Sequence, residues 1–130
     1  MIKFRFGHIE VSRELRASSE TVWELITDTL RWAQWGPSII SVECHERFIK
    51  EGSKGRVRTL AGIWIPFMVT QFDPPQSWAW RVFGIPATGH RVEPVKAGFC
   101  RLVFEIPILA LPYAVVCQIA LQRIAGIVEE

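Results

Sequence analysis

The sequence holds few of the residues from which enzymes build a reactive centre. Of its 130 residues only two are aspartates, Asp28 and Asp73, and only one is a tyrosine. Asp28 precedes a helical segment and Asp73 stands before two prolines, so we interpret the first as a helix cap and the second as a turn residue. The sequence therefore does not indicate chemistry by a pair of carboxylates.

Cysteine is also scarce. Cys44, Cys100 and Cys117 are odd in number and lack the spacing of a zinc site, so they predict neither a disulfide framework nor a metal. The sequence shows no Ser/His/Asp arrangement and no glycine-rich phosphate loop in a strand-to-helix context. We expect no cofactor and no metal.

Long runs of charge are missing as well. The net charge of +2 arises from 15 basic and 13 acidic residues that are spread along the chain, which gives no case for a nucleic-acid partner. The first residues, MIKFRFGHIE, lack the apolar core of a secretory signal, so a cytoplasmic location is expected. The length predicts one domain, residues 1–130.

Bulky apolar side chains are abundant, with six Trp and eight Phe among 49% hydrophobic residues. Residues 109–128, LALPYAVVCQIALQRIAGIV, are apolar at helical spacing almost all the way round, which predicts a long covered helix. The length would permit a membrane span, but Pro107 and Pro112 break the first turns. Gln118, Gln122 and Arg123 would be costly in lipid, so no transmembrane span is predicted.

The rest of the chain predicts a sheet that could cover this helix. Residues 8–17 alternate in polarity, which predicts a strand. Ser18 can cap a helix that runs to Thr27. Asp28 can cap a second helix, TLRWAQW, which ends at Gly36. Six further strands are predicted at 40–48, 56–60, 63–72, 78–83, 88–92 and 99–106.

Several segments in this order resemble a known superfamily. They are IEVSRELRASSETVWELITD, the WGP after the second helix, FDPPQSWAW and GHRVEPVKAGFCRLVFEI. Together they are similar to START-like (SRPBCC) proteins, which include polyketide cyclases, dehydrases and lipid-transport proteins. The resemblance implies an α+β helix-grip fold: a curved antiparallel seven-stranded sheet around the C-terminal helix, two small helices between strands 1 and 2, and a hydrophobic cavity.

His90 is the one candidate for chemistry in that cavity. In the predicted strand its side chain lies on the same face as those of Thr88 and Val92, whereas Arg91 and Glu93 lie on the other face. A histidine there could orient a ligand oxygen or move a proton near neutral pH, or it could be a core residue bonded to a backbone carbonyl. No partner for a catalytic base is visible.

Three functions follow from this pattern. The first is binding of a hydrophobic or aromatic small molecule, lipid-like or polyketide-like, in a pocket lined by Trp35, Trp80, His90, Phe104 and Tyr113. The second is a cyclase or dehydratase that uses the same pocket and His90. The third is a module that docks on a partner or a membrane, by the apolar helix or the bend at 63–65. A homodimer is compatible with each.

Overall fold

Eight strands form one antiparallel sheet in the computed structural model, which describes residues 1–5, 7–110 and 112–129. The strands are β1 (Ile2–Arg5), β2 (His8–Leu15), β3 (Ile39–Cys44), β4 (Lys54–Thr59), β5 (Trp64–Asp73), β6 (Ser77–Val82), β7 (Ile85–Lys96) and β8 (Phe99–Pro107). Their order across the sheet is β1-β2-β8-β7-β6-β5-β4-β3. The helices are α1 (Ser19–Thr27), α2 (Trp32–Trp35) and α3 (Tyr113–Val128), with short 3-10 helices at Thr29–Arg31 and Ile108–Ala110. The predicted α+β helix-grip fold is confirmed.

The strand count differs from the prediction by one. The expected seven strands are present, and β1 is an eighth that pairs with β2 through the register Ile2↔Val11 to Arg5↔His8. Gly7, with φ of 80°, supports the tight turn between them. Sequence reasoning missed β1 because four residues that alternate between apolar and basic side chains form too short a pattern to separate from an irregular terminus.

The segment between β2 and β3 is organised by two side-chain caps. Ser18 accepts a hydrogen bond from the backbone N–H of Thr21, and Asp28 accepts one from that of Leu30, as predicted for both residues. The second helix is a 3-10 turn followed by one α-turn, and it ends at Gly36. Trp32 and Trp35 share its inner face and are both buried, so this short segment delivers two large rings to the interior.

Helix α3 packs across the inner face of the sheet and contacts β2, β8 and α2. It begins at Tyr113 and not at the predicted residue 109, because residues 108–110 form a 3-10 turn; Leu111 lies outside the described residues. Its buried face is made mainly of small side chains, Ala114, Cys117, Ala120, Leu121, Ile124 and Ala125, which allow close approach to the sheet. Within the described ranges, no helix is long and apolar enough to cross a membrane.

Candidate functional site

A small internal cavity lies between the sheet, α2 and α3. Its volume is about 40 Å³. All five residues predicted to line a pocket, Trp35, Trp80, His90, Phe104 and Tyr113, line this cavity. Thr88, which strand parity had placed on the inner face, lines it too, whereas sequence reasoning had not placed Trp32, Ser38, Trp78 and Cys117 there. The structure thus brings the predicted residues together, while their role in ligand binding remains a prediction.

Strand alternation explains how the cavity residues come together. In β7 the buried side chains are Thr88, His90 and Val92, each separated by a residue of the opposite face. The register pairs His90 with Trp78 in β6 and with Phe104 in β8, so three neighbouring strands present these rings side by side on one face. Trp78 could have been predicted, because it shares the parity of Trp80 in the sequence.

Aromatic rings fill most of the expected pocket. Trp32 stacks on Trp78 with ring centroids 5.5 Å apart and planes 4° apart. Trp80 meets both of these rings edge-on, at 5.3 and 5.6 Å, and Phe67 lies 5.4 Å from Trp32. A space of about 40 Å³ holds a water molecule or a small polar group, but it is too small for an aromatic ring.

His90 is buried, and a tryptophan covers its ring. The imidazole stacks on Trp78 at 3.9 Å, and its Nδ1 lies 3.3 Å from the Trp78 carbonyl oxygen. Because a carbonyl can only accept, Nδ1 carries the proton in this contact and Nε2 is left as an acceptor. Burial lowers the His90 pKa to about 3, against which the carbonyl contact acts weakly in the opposite direction. The ring is therefore neutral at physiological pH and is a poor general base.

Three buried indole N–H groups lack an acceptor. They belong to Trp35, Trp78 and Trp80, and none of their Nε1 atoms has a hydrogen-bond partner among the described residues. Trp32, by contrast, donates its Nε1–H to the Ile26 carbonyl oxygen at 2.9 Å. An unsatisfied buried donor typically costs about 1–3 kcal/mol, so three on side chains that line one cavity are an unusual concentration of unused donors.

A larger apolar groove adjoins the cavity. Its volume is about 560 Å³, and it runs between the β6–β7 hairpin and the segment from β8 to α3. Trp80, Thr88 and Tyr113 line both spaces and so form the boundary between them. The other groove residues are apolar: Val82, Ile85, Pro86, Ala87, Ile106, Pro107 and Ala110. This volume lies in the range of ordinary small-molecule sites.

The other ionisable side chains of the cavity are protonated and uncharged at neutral pH. Burial raises the pKa of the Cys117 thiol to about 12, so it is protonated and not nucleophilic. The hydroxyl groups of Tyr113 and Ser38 lie 3.4 Å apart, and burial raises the Tyr113 pKa above its usual value. The cavity can accept and donate hydrogen bonds, but these groups do not make a proton-transfer pair.

One group of side chains with metal-ligand spacing lies on the other face of the sheet. Potential ligand atoms of His8, Glu10 and Glu105 fall within 4.8 Å of one another. Arg91 already binds both carboxylates: its Nη2 lies 3.3 Å from Glu10, and its Nη1 donates to Glu105. Glu10 is consequently buried, although its strand parity had placed it on the solvent side. We interpret this cluster as an ion-pair network centred on Arg91.

Solved structures of similar shape come from several bacteria. XoxI from Bacillus cereus superposes with a TM-score of 0.75 at 15% identity, over 95% of this chain and 96% of that one. The Zhui aromatase/cyclase from a Streptomyces species gives 0.70 at 18% identity, over 92% and 91%. Protein CV1439 from Chromobacterium violaceum gives 0.67 at 22% identity, over 95% and 98%. At these identities the likeness concerns the fold alone.

No curated protein matches the sequence. A family model does: residues 7–117 match the family described as polyketide cyclase / dehydrase and lipid transport. The match covers β2 to the first turns of α3, including every residue of the cavity except Ala120. By this match, over most of its length, the chain belongs to the polyketide cyclase / dehydrase and lipid transport family.

Proposed function

We propose that the protein binds a hydrophobic or aromatic small molecule whose body lies in the groove and whose small polar end enters the inner cavity. The observation that carries the proposal is that three tryptophans lining a space too small for a ring have indole N–H groups without an acceptor. A carbonyl or ether oxygen that enters this space would accept from one or two of these donors once the ring turns its Nε1–H toward the cavity, while apolar burial in the groove supplies affinity.

The polar end has two expected partners. Trp80 lines both the groove and the cavity and its indole N–H has no acceptor, so we assign this group as the donor to a ligand carbonyl. His90 offers the complementary chemistry, since its Nε2 can accept from a ligand hydroxyl group. The site should therefore prefer ligands with a terminal carbonyl or hydroxyl over hydrocarbons of the same shape.

A pair of nearly isosteric ligands tests this preference. We expect 2-acetylnaphthalene to bind about tenfold more tightly than 2-isopropenylnaphthalene by titration calorimetry, because only the ketone accepts a hydrogen bond. Trp80→Phe should remove most of that difference, whereas Trp23→Phe, a control whose ring packs on Phe72 outside the cavity, should keep it. Equal affinity of the parent for both ligands would contradict the proposal.

The family match favours a second candidate, a cyclase-type enzyme. The low His90 pKa argues against proton transfer by this residue, so such an enzyme would act by holding a flexible polyketide-like chain in a reactive conformation. Incubation with a short poly-β-ketone and analysis of the products by mass spectrometry tests it. A product mixture identical to that of the spontaneous reaction would exclude the enzymatic role.

A further inference from the structure

One end of the sheet carries exposed apolar side chains on successive turns. The register pairs Arg58 with Trp64, Val82 with Ile85 and His8 with Pro107, which places the β4–β5, β6–β7 and β1–β2 turns at the same end of the sheet as the segment after β8. Large hydrophobic side chains are exposed on or next to each connection: Phe4 (63%), Leu60 (72%), Ile63 (57%), Phe83 (64%) and Ile108 (48%). We call this region the apolar end.

The opposite end of the sheet is polar. Its connections contain residues such as Glu46, Lys50, Glu51, Asp73 and Lys96. Phe48 is exposed there, but the Arg47 guanidinium lies over its ring at 5.1 Å. Leu30 and Val95 are exposed there as well, at 70% and 44%, but they stand among these charged residues, whereas at the apolar end the exposed hydrophobic side chains lie on successive turns.

The position of Phe83, one of the exposed side chains at the apolar end, is not explained by the stability of the fold. It occupies the left-handed region with φ of 57°, next to Gly84 with φ of 71°, in a two-residue hairpin turn. Glycine, asparagine and aspartate are the usual residues in such turns, and a bulky residue there is strained. A bulky side chain that is exposed to water at a position of backbone strain indicates a role for the ring outside the fold.

The charges at the apolar end are positive. Arg58 donates to the Gly62 carbonyl oxygen at 3.4 Å and Arg81 to that of Gly84 at 3.1 Å, so each guanidinium folds over its own turn. Neither forms a salt bridge with another described residue. No Asp or Glu occurs in residues 5–8, 58–63, 81–85 or 106–113, and the nearest carboxylates, Glu10 and Glu105, are bound to Arg91. A partner that is complementary to this end would have an apolar interior to receive the exposed side chains and anionic groups on its surface to contact the arginines.

We propose that the apolar end docks on an anionic lipid surface. Leu60, Ile63 and Phe83 would enter the interfacial region, and Arg58 and Arg81 would contact phosphate groups. A bilayer suits this surface better than a folded protein does, because the apolar side chains stand on separate turns with the groove open between them, and acyl chains can fill the gaps. The groove would then face the membrane, while docking itself does not depend on what the groove binds.

Vesicle binding tests the proposal. The protein should sediment with vesicles of phosphatidylcholine and phosphatidylglycerol in equal parts, more strongly than with phosphatidylcholine alone, and salt should weaken the binding. The double variant Phe83→Asn, Ile63→Ser should lower the partition constant roughly tenfold. Asparagine is suited to the turn, so the fold should be retained. Val95→Ser, at an exposed position near the polar end, is the matched control and should bind as the parent does.

Two results would overturn the proposal. One is the absence of binding of the parent to the anionic vesicles at low salt. The other is a concentration-dependent dimer, seen by light scattering, that the double variant abolishes, since the apolar end would then be covered by a second copy. The affinity of the double variant for 2-acetylnaphthalene, measured without vesicles, reports separately on the proposed ligand site, because neither residue lines the groove or the cavity.

Discussion

At the scale of single residues, His90 couples the site to pH. The folded state holds its imidazole neutral with a pKa of about 3, whereas the unfolded chain has the ordinary value of 6.5. Trp35, Trp78, Trp80 and Phe104, the rings around it, carry no charge, so burial is the cause. The consequence is a linkage between protonation and unfolding.

Acid should destabilise the protein through this residue. Between pH 6.5 and pH 3 the unfolded state binds one proton that the folded state does not, so stability falls as the pH falls through this window and is unaffected by His90 above it. Between pH 7 and pH 5 we expect a loss of about 2 kcal/mol. Urea unfolding of the parent and of His90→Phe at both pH values measures it, since the variant should lack this increment. Equal pH dependence in both proteins would contradict the assignment.

At the scale of elements, Asp28 fixes the segment that carries Trp32 and Trp35. Its carboxylate caps Leu30 and binds Arg47 at 3.2 and 3.0 Å, and the backbone N–H of Thr29 donates to the Arg47 carbonyl oxygen at 2.7 Å. The cap could be predicted from the sequence, but the pairing with Arg47 could not. It depends on the fold bringing together residues 19 positions apart.

Removing that carboxylate should loosen the short helix. Asp28→Ala should cost about 2 kcal/mol of unfolding free energy, because a buried cap and an ion pair are lost together. Asp28→Asn keeps an acceptor for Leu30 and should cost about half as much. Chemical denaturation of the two variants distinguishes them, and a cost below about 0.5 kcal/mol for the alanine variant would show that the cap is dispensable.

Two glycines provide a matched pair for packing. A Cβ at Gly55 in β4 would lie 2.2 Å from the Glu43 carbonyl oxygen and 3.0 Å from the Phe67 ring, whereas one at Gly126 in α3 would meet nothing within 4 Å. Gly55→Ala should therefore destabilise the protein by about 1–3 kcal/mol. Gly126→Ala should stabilise it by about 0.5–1 kcal/mol, because alanine favours the helix. Thermal unfolding of both variants checks the opposite signs.

At the scale of the whole molecule, the sequence allowed the fold and the lining of the site to be predicted, but not the volume of the site. Strand parity placed Thr88 and His90 on the inner face because side-chain alternation is a local property. The free volume depends on how Trp32, Trp78 and Phe67, which come from three separate elements, pack against one another. No local pattern encodes that packing, so the prediction of a hydrophobic cavity carried no size, and the structure has a small cavity and an adjoining groove.

This division of the site makes a prediction for the intact protein. A ligand that binds only the folded state at about 100 times its dissociation constant adds roughly 2.7 kcal/mol to stability, and 2-acetylnaphthalene should produce such a shift in melting temperature. Ala110→Trp should abolish the shift by filling the groove that Ala110 lines. Ala97→Trp, in the exposed β7–β8 turn, adds a ring of the same size outside the site and should preserve it. If both variants keep the full shift, the ligand binds elsewhere, and the groove is not the entrance to the cavity.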